Sequence, residues 1–325
     1  MNRVLVTGGT GFVGQALCPI LLKQGLRVSV ATRSPRVAET IGRVDVRPIP
    51  GVGPRIDWSV VLRDVEVIVH LAARVPNRMD NHNPQFTGDY QRVNVEGARK
   101  LGEDAVAAGV RRMIYVSTAT IHGACTAPSQ AFQESDPPAP ADVYAQSKWK
   151  AEQALAEVAQ QSNLELVILR PPLVYGPGVK GDFLTLLRRI AKARTLPVIR
   201  VAGGFPNRRS LLYVNNLCDA IVRCMTAPDA AGGIFLIRDS EDPTVADIFR
   251  TLAQGMAKDI RIVPVPQPLF RLASRLTGNS AAIEPVSASF CIDDSAIRRQ
   301  LKWTPSHSVV EGLNATAAWF AASSH

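Results

Sequence analysis

The strongest constraint on this chain lies at its start. Val4-Leu5-Val6 is a compact apolar run, and it leads directly into Thr7-Gly8-Gly9-Thr10-Gly11-Phe12-Val13-Gly14. From Phe12 to Gln24 apolar residues recur at helical spacing, and Gly25 supplies the stop. A strand, a glycine-rich turn and a helix in this order can cradle a phosphate. Gly8 permits the tight turn, Gly11 lets the backbone approach a pyrophosphate, and Gly14 allows close packing of helix on strand. The helix start then turns free N–H groups and the positive end of its dipole toward the phosphates. Thr10, Phe12 and Val13 complete the expected cradle. A bound dinucleotide is the functional reading of this turn, and a purely structural strand-to-helix corner is the bland one.

Further apolar runs follow at Val28-Ser29-Val30, Val67-Ile68-Val69, Met113-Ile114-Tyr115-Val116 and Leu166-Val167-Ile168-Leu169. Helical runs lie between them, notably at 90–108 and 143–161. Buried strands alternating with helices predict an α/β fold with a doubly wound parallel sheet. After Arg170 the texture changes, with Pro171-Pro172, Gly176-Pro177-Gly178 and Gly203-Gly204 punctuating shorter elements. The 325 residues exceed what one core usually serves. We therefore expect a dinucleotide domain at 1–170 and a smaller, mainly substrate-binding domain at 171–325. Residues 211–238 are expected to return to the first domain.

Composition excludes several classes. Apolar residues make up 46% and charged residues 20%, ordinary for a soluble globular protein. The balance of 37 basic against 28 acidic residues gives +9. This is either a solubilising surface or a cleft that gathers anionic ligands. No basic run with interleaved aromatics argues for nucleic acid. Five cysteines without a C-x-x-C pair suit a reducing cytoplasm and argue against a structural metal. A strand-like run from Arg3 leaves no room for a signal peptide, and no apolar stretch approaches the roughly 20 residues of a membrane span. Segment 260–276 is apolar with three arginines. It is either a membrane-surface helix or, given its prolines, a packed part of the second domain.

Tyr144-Ala145-Gln146-Ser147-Lys148 places a phenol and an ammonium four residues apart, on one face of a helix. A free phenol with a pKa of about 10 is too weak a base at neutral pH. A nearby ammonium and the positive nicotinamide of a bound cofactor are expected to favour the phenolate and make Tyr144 a usable acid/base. Thr118 follows a strand at its carboxyl end, where ligand sites of such sheets gather. Leu71, Ala72 and Ala73 follow another strand, and Asn94 lies on the helix between.

The G-x-x-G-x-x-G spacing after Thr7, the Thr118–Tyr144–Lys148 order and Asn94 resemble the extended short-chain dehydrogenases/reductases over nearly the whole chain. The resemblance implies a Rossmann-type fold, NAD or NADP as cofactor, and a homodimer. It assigns catalysis to Thr118, Tyr144 and Lys148, with Tyr144, Lys148, Asn94 and residues 71–73 also touching cofactor. The dimer is expected to bury 90–108 and 143–161 through Leu101, Val106, Trp149, Ala154 and Leu155. An NAD enzyme usually carries an acid at the end of the second strand, but Thr32 stands there. Arg33 either pairs with the 2′-phosphate of NADP or is a solvated surface arginine.

Arg170-Pro171-Pro172-Leu173-Val174-Tyr175-Gly176-Pro177-Gly178 and the 207–217 stretch resemble the nucleotide-sugar epimerase, dehydratase and reductase group. The chain is most similar to UDP-sugar 4-epimerases and 4-ketoreductases of bacterial surface-polysaccharide pathways. The resemblance places Arg209 on the sugar-nucleotide diphosphate. Asp182 stands where relatives carry Asn, and a second arginine is not visible at 283–286. His122 replaces a common Tyr, and either faces the substrate or is packed. Ala119-Thr120 replaces the Asp-Glu of dehydratases, which disfavours water elimination. Hydride transfer at C4 remains, as a keto-sugar reductase or as a 4-epimerase. A reductase for a non-sugar ketone and a non-enzymatic NADP-binding protein are further alternatives.

Overall fold

The structure, a computed structural model, describes residues 3–76, 85–127, 129–200, 207–266 and 288–323. In chain order its strands are β1 (Arg3–Thr7), β2 (Arg27–Thr32), β3 (Asp45–Pro48), β4 (Val67–His70), β5 (Arg112–Val116), β6 (Glu165–Arg170), β7 (Leu173–Tyr175), β8 (Thr195–Arg200), β9 (Leu211–Tyr213), β10 (Ile234–Leu236) and β11 (Arg261–Pro266). Seven of them form one sheet in the order β3-β2-β1-β4-β5-β6-β10, and every pairing in it is parallel. The strand order reverses between β1 and β4. Ligands of open α/β sheets bind in the crevice above such a switch point.

Alternation along the strands decides which helices cover which face. Val4 and Val6 of β1 pack with Val30, Val69, Ile114 and Val167 into one core. The helix α1 (Phe12–Lys23) brings Leu17 and Leu21 to it. Leu5 faces the other way and joins Ile68, Met113, Tyr115 and Ile168 in a second core. A short α2 (Pro35–Glu39) follows β2, and α3 (Gln85–Tyr90) precedes a π-helical segment, Gln91–Glu96. Helices α4 (Gly97–Ala107) and α5 (Val143–Gln160) cover this second core with Leu101, Ala105, Ala151 and Leu155.

A third core gathers α6 (Gly181–Lys192), α8 (Val245–Gly255) and α10 (Val309–Ser323) around Tyr175, Phe183, Ile190, Phe249 and Leu313. Between α6 and α10 the chain also forms α7 (Val214–Thr226) and α9 (Ser295–Leu301). Two parallel pairs, β7 with β9 and β8 with β11, belong to this half. The 211–238 segment crosses between the halves. β9 pairs with β7, whereas α7 packs on α1 and β10 adds to β6.

Two expectations change, and an open reading narrows. The 90–108 run is not one regular helix, because its first turn is π-helical around Asn94. Leu101, Ala154 and Leu155 are buried within the chain itself, so they face its core and not a partner. The start of the 260–276 segment is strand β11, paired with β8, which is the packed one of its two readings. Residues 203–204, 267–276 and 283–286 lie outside the described residues. No helix among the described residues is long and apolar enough to cross a membrane.

Candidate active site

The glycine turn is built by close approach. Gly8 has φ +71°, and a Cβ there would lie 2.8 Å from Ala72 N. Only glycine lets the turn after β1 touch the loop after β4. Gly11 N donates to Gly8 O at 2.9 Å and closes the turn. A Cβ on Gly14 would lie 2.4 Å from Gly9 Cα, so Gly14 seats α1 on the turn itself and not on the strand. Gly11 caps α1 with no side-chain hydrogen bond. The first-turn N–H groups are therefore left for an anion, which is the fit a dinucleotide pyrophosphate requires. Thr10 is tied in through its carbonyl, which accepts from Gln15 Nε2 at 3.1 Å. Phe12 and Val13 contribute backbone to this end, because their side chains pack against the cores.

At the end of β2, Thr32 is buried and its Oγ1 accepts from Ser34 N at 2.9 Å. Arg33 is exposed. The carboxylate of β3, Asp45, pairs with Ser29 and Arg3 near the start of β2, far from the ribose end. Among the described residues, Thr32 and Arg33 stand at the end of β2 where an acid normally holds the adenosine 2′-hydroxyl.

Tyr144 and Lys148 lie in the first turns of α5, whose start is capped by Asp142 accepting from Ala145 N at 2.7 Å. Thr118 caps the short 3-10 turn Ala119–His122, and α5 packs on that turn. Thr118 Oγ1 accepts from Thr120 N at 3.2 Å and lies 2.9 Å from Thr120 Oγ1. Ala119 is buried against Leu236, Phe290 and Ile292, so no acid for water elimination stands there. Asn94 is buried with its polar atoms spent on protein. It bonds Arg74 N, Arg74 O and Ser147 Oγ, so it holds the 71–74 loop instead of reaching for a ligand.

Burial dominates the electrostatics. It pushes the Lys148 ammonium down to about 7, against the opposing charge of Glu152. It pushes the Tyr144 phenol above its ordinary value, aided by Asp142 and Tyr90. Tyr144 on its own is therefore a protonated phenol at neutral pH.

Arg209 is buried, and burial takes its guanidinium down to about 10. Nη1 donates to Ala288 O at 3.1 Å, and the guanidinium lies over the Phe290 ring at 5.6 Å. Its Nε is buried and has no partner among the described residues. Asp182 is exposed in the first turn of α6. His122 is packed. It stacks on Phe132, and its Nε2 lies 3.2 Å from Arg170 Nη1. Burial and the Arg170 charge hold it down to about 4. Arg170 in turn pairs with buried Glu152 at 2.6 Å. Sequence reasoning missed Ser147, Thr120 and the Glu152–Arg170 pair. A polar residue at a core-facing position is the one signal each leaves in the sequence.

A glycine turn at the switch point, with a tyrosine and a lysine on the helix beside it, defines an NAD(P)-dependent oxidoreductase or epimerase of the extended short-chain dehydrogenase/reductase type. The chain belongs to the NAD dependent epimerase/dehydratase family, whose model matches residues 4–237. It is 34% identical to a UDP-glucose 4-epimerase of Vibrio cholerae, over 98% of this chain and 95% of that protein. It is 26% identical to the N-acetyl-alpha-D-glucosaminyl-diphospho-ditrans,octacis-undecaprenol 4-epimerase of Escherichia coli O157:H7, over 89% of this chain and 86% of that one. The fold matches a crystal structure of UDP-glucuronic acid 4-epimerase from Bacillus cereus in complex with NAD. That match has a TM-score of 0.78 at 21% identity and covers 98% of each chain.

Proposed function

We propose that this chain reduces the C4 carbonyl of a UDP-linked 4-keto-sugar with NADPH. The observation that carries a nucleotide-sugar substrate is Arg209, a buried guanidinium whose Nε has no partner among the described residues. A buried donor of this kind costs stability until an anion pairs with it, and a diphosphate offers two oxygens at once. An uncharged ketone gives it nothing. The direction of reaction is supported by two further features. The ribose end of β2 carries Thr32 and exposed Arg33 in place of an acid, which suits a 2′-phosphate and exchange of cofactor at each turnover. Tyr144, a phenol at neutral pH, has a proton to give.

The reduced nicotinamide supplies the hydride. Tyr144 transfers its phenolic proton to the C4 oxygen as negative charge develops there. Thr118, held by Thr120, donates a hydrogen bond to the same oxygen. Lys148 holds the nicotinamide ribose and favours the transient phenolate. Asp182 joins the substrate side from the exposed start of α6. The chain acts as a homodimer through the exposed faces of α4 and α5, where Val106 is 38% exposed and Trp149 half-buried.

A second reading, 4-epimerisation of a UDP-sugar, is favoured by the relative at 34% identity. An epimerase oxidises and re-reduces one sugar, so it profits from retaining NAD. The experiment is to purify the protein, identify any nicotinamide cofactor by mass, and assay two reactions. Stoichiometric NADPH consumption with a UDP-4-keto-6-deoxy-sugar supports the reductase. Tight NAD and interconversion of UDP-glucose with UDP-galactose, or of their N-acetyl forms, without added cofactor sinks it in favour of the epimerase.

A further inference from the structure

Three neighbouring strands place Thr7, His70 and Tyr115 at one level across the sheet, each paired in register with the next. All three are buried. Thr7 Oγ1 accepts from Ala72 N at 3.3 Å and lies 2.6 Å from His70 Nδ1. The His70 and Tyr115 rings stack with centroids 5.6 Å apart. The row ends on the catalytic helix, where Lys148 Nζ sits 4.0 Å from the centre of the Tyr115 ring.

We propose that Tyr115 is a positioning residue, whose ring face holds the Lys148 ammonium charged and in place while His70 and Thr7 hold the ring. This rests on the reading of Lys148 as the lysine that binds the nicotinamide ribose. An aromatic face carries negative potential, and its attraction for a cation grows when water is excluded. Lys148 is 2% exposed, so its ammonium has lost most of its hydration. Burial, partly opposed by Glu152, brings it down to about 7, which leaves its protonation near neutral pH to small local effects.

The other groups around Lys148 leave the ring a distinct part. Glu152, one turn further on α5, raises the lysine, but its carboxylate is engaged by Arg170 at 2.6 Å. His70 on β4 is held neutral, with burial and the Lys148 charge taking it down to about 3, so it adds no second cation at the ring. Tyr144 on α5 is protonated. Burial pushes the Tyr115 phenol well above its ordinary value, and its OH has no partner among the described residues. The ring itself, and not an oxyanion, therefore meets the ammonium.

The test follows NADPH affinity against pH by fluorescence, without any sugar substrate. In the natural protein, affinity falls on the alkaline side as Lys148 loses its proton. Tyr115→Phe keeps the ring and is expected to keep that midpoint. Progressively fluorinated phenylalanines at position 115 keep the shape, so folding is preserved, but drain the ring face. They are expected to lower the midpoint stepwise, by about one pH unit at the trifluorinated ring. Tyr115→Leu is expected to show the same lowering. A midpoint that stays put across the fluorinated series, while Lys148→Met removes the alkaline fall, overturns the proposal alone. An alkaline fall that survives Lys148→Met overturns the reading of Lys148, and the proposal with it.

Discussion

Asn94 Nδ2 donates to Ser147 Oγ at 2.9 Å, and Ser147 Oγ donates onward to the Tyr144 carbonyl at 2.7 Å. The same amide holds Arg74 N and Arg74 O at 2.7 and 3.0 Å. One side chain thus spaces the loop after β4 from the turn that carries Tyr144. The π-helical segment places Asn94 for this, because the wider turn shifts it out of α-helical register. Asn94→Ala removes the bonds to Arg74 N, Arg74 O and Ser147 Oγ at once. It is expected to cost about 1–3 kcal/mol of stability and to weaken cofactor binding. Denaturant melts and NADPH titration check both, and unchanged cofactor affinity would remove Asn94 from this role.

Tyr144→Phe deletes one oxygen and leaves the packing of α5 in place. Turnover is expected to fall by about 100-fold to 10,000-fold, the usual contribution of a positioned acid/base, with cofactor affinity nearly intact. A kcat within tenfold of the natural protein would exclude Tyr144 as the proton donor.

Arg209→Ala removes the buried guanidinium and leaves Phe290 and the Ala288 carbonyl around a void. The Kd for UDP, measured by calorimetry, is expected to rise by about tenfold to a hundredfold, the worth of a charge-assisted contact. Equal UDP affinity in the two proteins would place the diphosphate elsewhere.

Arg33→Asp puts a carboxylate at the ribose end of β2. It is expected to weaken NADPH by at least about tenfold, through loss of a charge-assisted hydrogen bond and added repulsion, while NADH binding holds or improves. Parallel titrations with the two cofactors decide this, and equal losses would mean that Arg33 is an ordinary surface arginine.

His70 and His122 give the fold a pH dependence of known sign. Burial lowers them to about 3 and about 4, so both are neutral when folded, and the unfolded chain binds more protons. Their contribution is complete above the unfolded pKa of about 6.5 and is lost as pH falls toward the folded values. Stability is expected to drop by about 2 kcal/mol for each histidine between pH 8 and 5. Urea melts across that range measure the slope. His122→Gln can still accept from Arg170 and is expected to keep about half of the slope.

The cofactor half of the site was legible because its chemistry is local. The glycine turn needs a strand before it and a helix after it, and all three lie within residues 3–23. Tyr144 and Lys148 share a helix face through four-residue spacing alone. The apolar runs likewise fixed the strands of the parallel sheet, since a strand buried on both faces writes a continuous signal.

What the sequence by itself determined, then, was the class of fold and the family, and it nominated the cofactor turn and the reacting side chains on which the proposed function rests. The tertiary structure decided their states. Burial comes from all the layers at once, and it moves the Tyr144 phenol up and brings the Lys148 ammonium down to about 7, which four-residue spacing alone does not show. The core facing of Leu101 and Leu155, and the contact of Lys148 with Tyr115 on another strand, depend on how helices settle on a sheet. The π-helical step at Asn94 depends on partners 20 and 53 residues away, and short-range spacing carries no trace of them.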